Sequence, residues 1–178
     1  MLTRNVTFCT DDESGTGRII TIEAQTKSQY SPAITVSGTG TLQMNSTCDN
    51  RNEPTVTVTD SATLAFGEGA SLGTGAITLG AGTTLALTQP SGSNEFTPLV
   101  NTFNLPTGEN EVATIRIDGA RLKSGDHVIA TVGNEATTAN VALAPASVAL
   151  DDRKGTLRVE DGKLKLNIEP SGLIVIFR

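Results

Sequence analysis

The stretch Ile34-Thr-Val-Ser-Gly-Thr-Gly-Thr-Leu-Gln-Met44 is written twice more, as Val56-Thr-Val-Thr-Asp-Ser-Ala-Thr-Leu-Ala-Phe66 and Ile77-Thr-Leu-Gly-Ala-Gly-Thr-Thr-Leu-Ala-Leu87. Each copy reads apolar-Thr-apolar, then five small or polar residues, then apolar-x-apolar, and the copies start at 34, 56 and 77, in steps of 22 and 21. Alternation over three residues is a short strand with one inward face. The Gly, Ser, Asp and Thr residues between two such runs make a corner. A repeat of this length matches one coil of a β-solenoid, in which each strand lies on its equivalent in the next coil. The expected inward columns are Ile34, Val56 and Ile77; Val36, Val58 and Leu79; Leu42, Leu64 and Leu85; and Met44, Phe66 and Leu87.

Working outward, Ile20 and Ile22 lie 22 residues before Leu42 and Met44 and continue their columns, with Val6 and Phe8 as the paired strand. The connectors vary: 45–55 is polar and holds Cys48 and Pro54, while 67–76 is Gly-rich, with Leu72 as a third inward face. After Leu87 the register is expected to stop. Residues 88–110 contain Pro90, Pro98 and Pro106, yet Phe96, Leu99, Val100, Phe103 and Leu105 are too apolar for a free linker. The segment therefore reads as an irregular piece packed on the coils. Strands are expected again over 112–117, 128–132, 141–150, 156–159, 164–168 and 173–177, and Glu160-Asp161-Gly162 is a hairpin signal. The fold expected is all-β: a β-solenoid of stacked coils over 1–110, continuous with a C-terminal β cap containing antiparallel strands over 111–178. A cap is needed because a bare solenoid end offers unpaired N–H and C=O groups.

Composition agrees. Hydrophobic residues are 37% and charged residues 18%, too few of the first for a thick core and too few of the second for a disordered chain. Aromatics at 3% fit a thin core of stacked Val, Ile and Leu. The net charge of −6 carries no basic stripe, which argues against nucleic acid as a partner. No window approaches the ~18 apolar residues of a membrane helix. Met1-Leu2-Thr3-Arg4-Asn5 leads into no apolar run of the signal-peptide kind, so the expectation is a secreted segment read without its leader.

The coils resemble the autotransporter-associated β-strand repeats of large bacterial surface proteins. Two later stretches resemble that family too: Ile117-Asp-Gly-Ala-Arg-Leu-Lys-Ser-Gly-Asp-His-Val-Ile-Ala-Thr-Val-Gly133 and Gly155-Thr-Leu-Arg-Val-Glu-Asp-Gly-Lys-Leu-Lys-Leu-Asn167. Together these cover roughly two thirds of the chain. The resemblance implies an extracellular, right-handed parallel β-helix that serves as a stalk or display surface, and it supplies no catalytic residues. The sequence departs from the family in ending at Pro170-Ser-Gly-Leu-Ile-Val-Ile-Phe-Arg178 without the roughly dozen amphipathic strands of a translocator barrel, so the expectation is either a barrel cut away or a repeat protein secreted by another route.

Each chemistry-bearing residue has a plainer reading beside its functional one. His127, the single histidine, is a candidate general base. No nucleophile motif accompanies it, and a surface position beside a turn is the expectation. Asp11, Asp12 and Glu13, with Asp49 brought near by loop stacking, are candidate Ca²⁺ oxygens, but a Ca²⁺ site needs about six or more ligands and no recognised calcium loop is present. Asp151-Asp152-Arg153-Lys154 reads as a solvated turn. Cys9 and Cys48 are either one disulfide of an oxidising compartment or two unpaired thiols. The outward positions of the three coils are Thr35, Thr57 and Thr78 on one face and Gln43, Ala65 and Ala86 on the other, columns with no acid or base. A Thr array can suit ice or a sugar face, but Thr is also simply a good exposed strand residue.

Two functions remain in view. The first is a non-catalytic structural or adhesion module of the cell surface, with a glycan or another surface protein as partner and self-association through solenoid ends. The second is a carbohydrate-binding or carbohydrate-active β-helix, for which Tyr30, Phe96 and Phe103 are the aromatic candidates outside the core. No catalytic, cofactor or metal residue is assigned.

Overall fold

The computed structural model describes residues 5–23, 32–47, 54–119, 121–145, 147, 150 and 153–170. Its strands are β1 (Val6–Cys9), β2 (Ile19–Ile22), β3 (Ala33–Ser37), β4 (Thr41–Met44), β5 (Thr55–Val58), β6 (Thr63–Phe66), β7 (Ile77–Leu79), β8 (Thr84–Gln89), β9 (Thr102–Asn104), β10 (Ala113–Gly119), β11 (Gly125–Val132), β12 (Val141–Leu143), β13 (Gly155–Glu160) and β14 (Lys163–Ile168). From β1 to β13 successive strands alternate between two sheets, and β14 joins the sheet of β13. One runs β1-β3-β5-β7-β9-β11-β14-β13 and the other β12-β10-β8-β6-β4-β2. Pairing is parallel throughout the second sheet and through β11 in the first. Chain that returns to the same sheet one coil later, pairing in parallel, fits a β-solenoid in general.

The register is the one that the repeat dictates. Val6, Ile34, Val56 and Ile77 are partners in sequence along the first sheet. Ile20, Leu42, Leu64 and Leu85 are partners along the second, as are Ile22, Met44, Phe66 and Leu87. Between the second and third coils these side chains are almost fully enclosed, from Ile34 at 6% to Val58 and Leu64 at 0% exposure. Each such side chain contributes on the order of 1.5–3 kcal/mol by leaving water. Leu72 is buried too, as the third inward face.

The corners repeat as strictly as the strands. Gly38, Asp60 and Gly82 stand 22 residues apart, and all three have positive φ, at 102°, 58° and 77°. Asp is among the few residues with a side chain that tolerate this region. Its carboxylate also accepts the Gly38 N–H at 3.2 Å, tying one corner to the next.

The stack does not stop at Leu87. Phe103 pairs with Ile77 and Val132 with Phe103, while Ile115 pairs with Leu85, Ile117 with Leu87 and Leu143 with Ile115. The expected loss of register is therefore corrected. From Leu85 to Ile115 the step is 30 residues, because connectors of greater length loop out and then rejoin the same columns. A fixed-period reading sees that insertion as an ending. Residue 110 is accordingly not where the pairing changes. Antiparallel pairing begins with β14, which lies between β11 and β13. Phe103 is likewise no surface aromatic: it is fully enclosed, the bulky continuation of the Ile77 column.

The hairpin forms as expected. Asp161 and Gly162 both have positive φ, 52° and 65°, the signature of the tight turn that suits twisted strands. Leu157, Leu164 and Leu166 are buried, and Val159 packs against the core. Among the described residues the strand expected over 141–150 covers Val141–Leu143, and Pro145 has no N–H to continue a ladder. The strand expected over 173–177 lies outside the described residues.

Val58→Asp should unfold the chain, costing more than about 4 kcal/mol, since it places an unpaired charge in a column with no polar partner. Thr57→Asp, one residue earlier and exposed, should stay within about 0.5 kcal/mol. Denaturant melts of the two variants followed by circular dichroism check the register.

Candidate functional site

The acidic corner between β1 and β2 is built for its own backbone. Asp11 accepts from the Thr39 N–H at 2.6 Å and the Thr39 hydroxyl at 2.8 Å, reaching across to the next coil. Asp12 accepts from the Ser14 hydroxyl at 2.6 Å and from the backbone N–H groups of Ser14 and Thr16, both at 2.9 Å. The Ser14 hydroxyl chiefly, then the Thr16 N–H, hold the Asp12 carboxyl below its ordinary range, and Arg18 adds a coulombic pull. Two of the three candidate Ca²⁺ carboxylates are thus engaged in shaping the turn. Glu13 is exposed beside them. Among the described residues no group of three His, Cys, Asp or Glu side chains could hold a metal. Asp49, Asp151, Asp152, Tyr30 and Cys48 lie outside the described residues, so the proposed Cys9–Cys48 pairing does too. Cys9 itself is exposed at the end of β1.

His127 is not a surface residue. It is 3% exposed, under the long connection that joins β8 to β9. Its Nδ1 accepts the Phe96 N–H at 3.4 Å, and its Nε2 lies 2.9 Å from the Lys123 carbonyl. With Nδ1 accepting, Nε2 is the nitrogen left to donate to that carbonyl. Glu95 Oε2 stands 3.7 Å from Nδ1, and the Glu95 carboxylate also pairs with Lys123. The connection is strapped down further by the Lys123 N–H on the Asn94 carbonyl, by the Leu99 N–H on the Ile129 carbonyl, both at 2.8 Å, and by the Gln89 amide on the Glu95 carbonyl. Asn101 closes the strap by donating to the Gly73 and Gly75 carbonyls at 3.1 and 2.7 Å. Its own Oδ1 is buried without a partner among the described residues. The imidazole's polar neighbours are a carbonyl, an amide N–H and a carboxylate. It works as a clasp. The sequence signal was Phe96 and Leu99, apolar residues in a connection that otherwise reads as a loop.

Arg153 is no solvated turn residue either. Its guanidinium donates to the carbonyls of Leu150 and Leu122, pinning the chain before β13 to the loop before β11. Lys154 beside it is exposed.

On the outside of the first sheet, Thr7, Thr35, Thr57, Thr78 and Asn104 form one column. Ala33 and Thr55 stand beside it on one side, Cys9 and Ser37 on the other. No acid or base interrupts this area. The outer column of the second sheet runs Thr21, Gln43, Ala65, Ala86 and Arg116. Ala65 and Ala86, expected to face out, are enclosed at 3% and 2%. Arg116 is matched by Asp118 at 2.8 Å on the same strand. A small apolar hollow is lined by Phe66, Leu87, Pro90, Phe96 and Leu99, with Gln89 at its wall. No family model matches the chain, and no curated protein or solved structure matches it. No helix among the described residues is long and apolar enough to cross a membrane.

His127→Ala should destabilise the fold by about 2–4 kcal/mol, since it empties a buried site and leaves the Phe96 N–H and the Lys123 carbonyl without partners. Chemical denaturation with unchanged m would report it. At the acidic corner the folded pKa of Asp12 is lowered, so its contribution is complete above the unfolded carboxylate range and fades as pH falls through the folded value. The Ser14 and Thr16 amide resonances should therefore titrate with a midpoint below the ordinary aspartate range, a transition that Asp12→Asn removes, and millimolar Ca²⁺ should leave both unmoved.

Proposed function

We propose that this chain is a right-handed parallel β-helix that works outside the cell as a non-catalytic stalk or display module of a bacterial surface protein, as its resemblance to the autotransporter-associated repeats implies. The observation that carries the reading is the division of labour between the two sides of each strand. Inward columns run without a break from coil to coil, whereas the outward column Thr7, Thr35, Thr57, Thr78 and Asn104 holds neither acid nor base. A β-helical lyase or hydrolase needs carboxylates and a base stacked on adjacent rungs. Here Arg116 is neutralised by Asp118, and Asp11 and Asp12 are held by backbone groups.

Burial of Phe103 weakens the carbohydrate reading, because it removes one of the aromatic platforms on which a sugar face could stack. What varies from coil to coil is the connectors. Gly69 and Gly92 sit at turn tips with open space around them, and Val100 on the strap is 67% exposed. Loops carried on a regular scaffold are where binding specificity is placed, and a glycan or another surface protein is the partner expected there.

An eight-residue polar epitope inserted after Gly92 should leave Tm within about 2–4 °C and bind its antibody on the folded protein. The purified chain should release no product from a panel of polysaccharides. Turnover that a single substitution abolishes would overturn the non-catalytic reading.

A further inference from the structure

Two connectors of the stack end on the same device. The strap over 90–101 closes with Asn101 and the connector over 133–140 with Asn140, and both side chains are buried. Each amide reaches the connector of the coil before and donates to two of its carbonyls. For Asn101 these are Gly73 and Gly75, at 3.1 and 2.7 Å; for Asn140 they are Gly108 and Glu111, both at 3.0 Å. The amide oxygens differ. Asn140 Oδ1 accepts from the N–H and from the hydroxyl of Thr137, three residues earlier, both at 3.0 Å. Asn101 Oδ1 accepts from no donor among the described residues. Three residues before it stands Pro98, which has neither an N–H nor a hydroxyl.

A buried acceptor without a donor costs the closed strap free energy that water would return, whereas a satisfied bond exchanged for one to water changes little. The rest of the strap is lightly held. No residue from 90 to 100 is buried, and Phe96 and Leu99 are only half-buried against the core. The strap runs where β9 falls short. That strand has three residues, and of the eight in β11 only Thr131 and Val132 pair with it. Along the earlier part of β11 the strap takes this side, with the Leu99 N–H on the Ile129 carbonyl at 2.8 Å. The bond falls where the register of β11 with β14 shifts, between Val128 and Ala130. The Phe96 N–H meets the His127 ring in place of a carbonyl. A segment with few buried apolar contacts and few ladder bonds opens at a lower free energy than the fold around it.

We propose that the strap over 90–101 is a lid that opens as a unit while the stack stays folded, and that Pro98, by leaving the Asn101 oxygen without a donor, sets how readily it opens. Opening hydrates that oxygen and uncovers the His127 ring, the Ile129 carbonyl and the apolar wall of Phe66 and Leu87. The rungs do not depend on the closed strap, because β7 pairs with β9 and β8 with β10 through residues outside 90–101. The connector over 133–140, with its asparagine oxygen satisfied and Ala136 buried, lacks this incentive to open.

Native-state hydrogen exchange on the full chain, read amide by amide, tests it. Leu99 and Lys123, whose N–H bonds the Asn94 carbonyl at 2.8 Å, report the strap. Thr63 and Thr84, bonded to the Gly40 and Ala62 carbonyls at 2.8 and 3.0 Å, report the stack. In wild type the two strap amides should share one protection, about a hundredfold or more below that of Thr63 and Thr84. Pro98 is exposed, so replacing it leaves the core untouched. Pro98→Thr supplies an N–H and a hydroxyl at this position, and Pro98→Ala, which removes the same ring, supplies the N–H alone. Leu99 and Lys123 should be about tenfold better protected in the threonine variant than in the alanine one, with Thr63 and Thr84 unchanged. Strap amides as well protected as Thr63 and Thr84 would mean that the strap opens only with the whole fold. Unequal protection of Leu99 and Lys123 would mean that it does not open as a unit, and equal protection in the two variants that the Asn101 oxygen does not set the opening. Each of these results overturns the proposal.

Discussion

No strand of this protein can stand without the one beside it. Strands of three or four residues make too few hydrogen bonds and bury too little surface to persist alone or as a single pair. Each becomes stable when an equivalent strand in the next coil takes both its backbone groups and its inward side chains. Parallel pairing in register makes that exchange identical at every rung. The demand explains why the apolar positions repeat so closely. It also explains why the corners do: a coil whose corner could not adopt positive φ at position 38, 60 or 82 would return to the sheet out of register. Asp60 shows the constraint acting on conformation rather than on residue type, since it keeps the geometry of its glycine neighbours and adds a bond between corners.

Stacking of this kind settles the middle of a protein and leaves its ends open. The two ends are handled by different chemistry. At one, a hairpin reverses the chain direction, so β14 pairs antiparallel on β11 and the parallel series is broken. At the other, β1 and β2 keep the pattern of the interior. Between them the strap from β8 to β9 covers one flank, held by a buried imidazole whose two nitrogens bind one N–H and one carbonyl. An imidazole suits such a place because it carries two nitrogens, able to serve as donor and acceptor, at opposite sides of one rigid ring.

The regular part of this architecture could be read directly from the residues. Three copies of apolar-Thr-apolar at steps of 22 and 21 were enough to place Val58 inward, Thr57 outward and Leu42 beneath Leu64. What escaped was whatever did not repeat. Phe103 sits in the Ile77 column, but an insertion separates the two, and periodicity cannot carry a register across an insertion of unknown length. His127 and Arg153 were read from their neighbours in sequence, Gly125-Asp126 and Asp151-Asp152, which look solvated. Both are tied to segments about thirty residues away: Phe96 lies over the buried imidazole, and the half-buried guanidinium reaches the Leu122 carbonyl. Long-range cover of this sort leaves no local mark beyond the excess apolarity of the covering segment. The acidic corner erred in the opposite direction: Asp11 and Asp12 look like free ligands in sequence, and the fold engages them with backbone N–H groups.

The same asymmetry bears on where function can reside. A substitution at an inward position disturbs two neighbouring rungs, and one at a corner shifts the register of everything beyond it, so neither site is free to acquire chemistry. Outward strand positions are freer, yet they are spaced by the sheet itself and can present only a flat, repetitive surface. The connectors carry neither restriction. The step from Leu85 to Ile115 shows that a coil can absorb additional residues, send them out as a strap, and still rejoin its columns with Ile115 and Ile117 fully enclosed. The register survives because loop closure grows costly only slowly with length, whereas every residue returned to the stack regains its hydrogen bonds and its buried neighbours. A scaffold with those energetics tolerates variation in one place and forbids it elsewhere. The variable place here is the strap with its exposed Val100 and the hollow behind Phe96, while the Thr-lined face keeps the fixed spacing of the sheet.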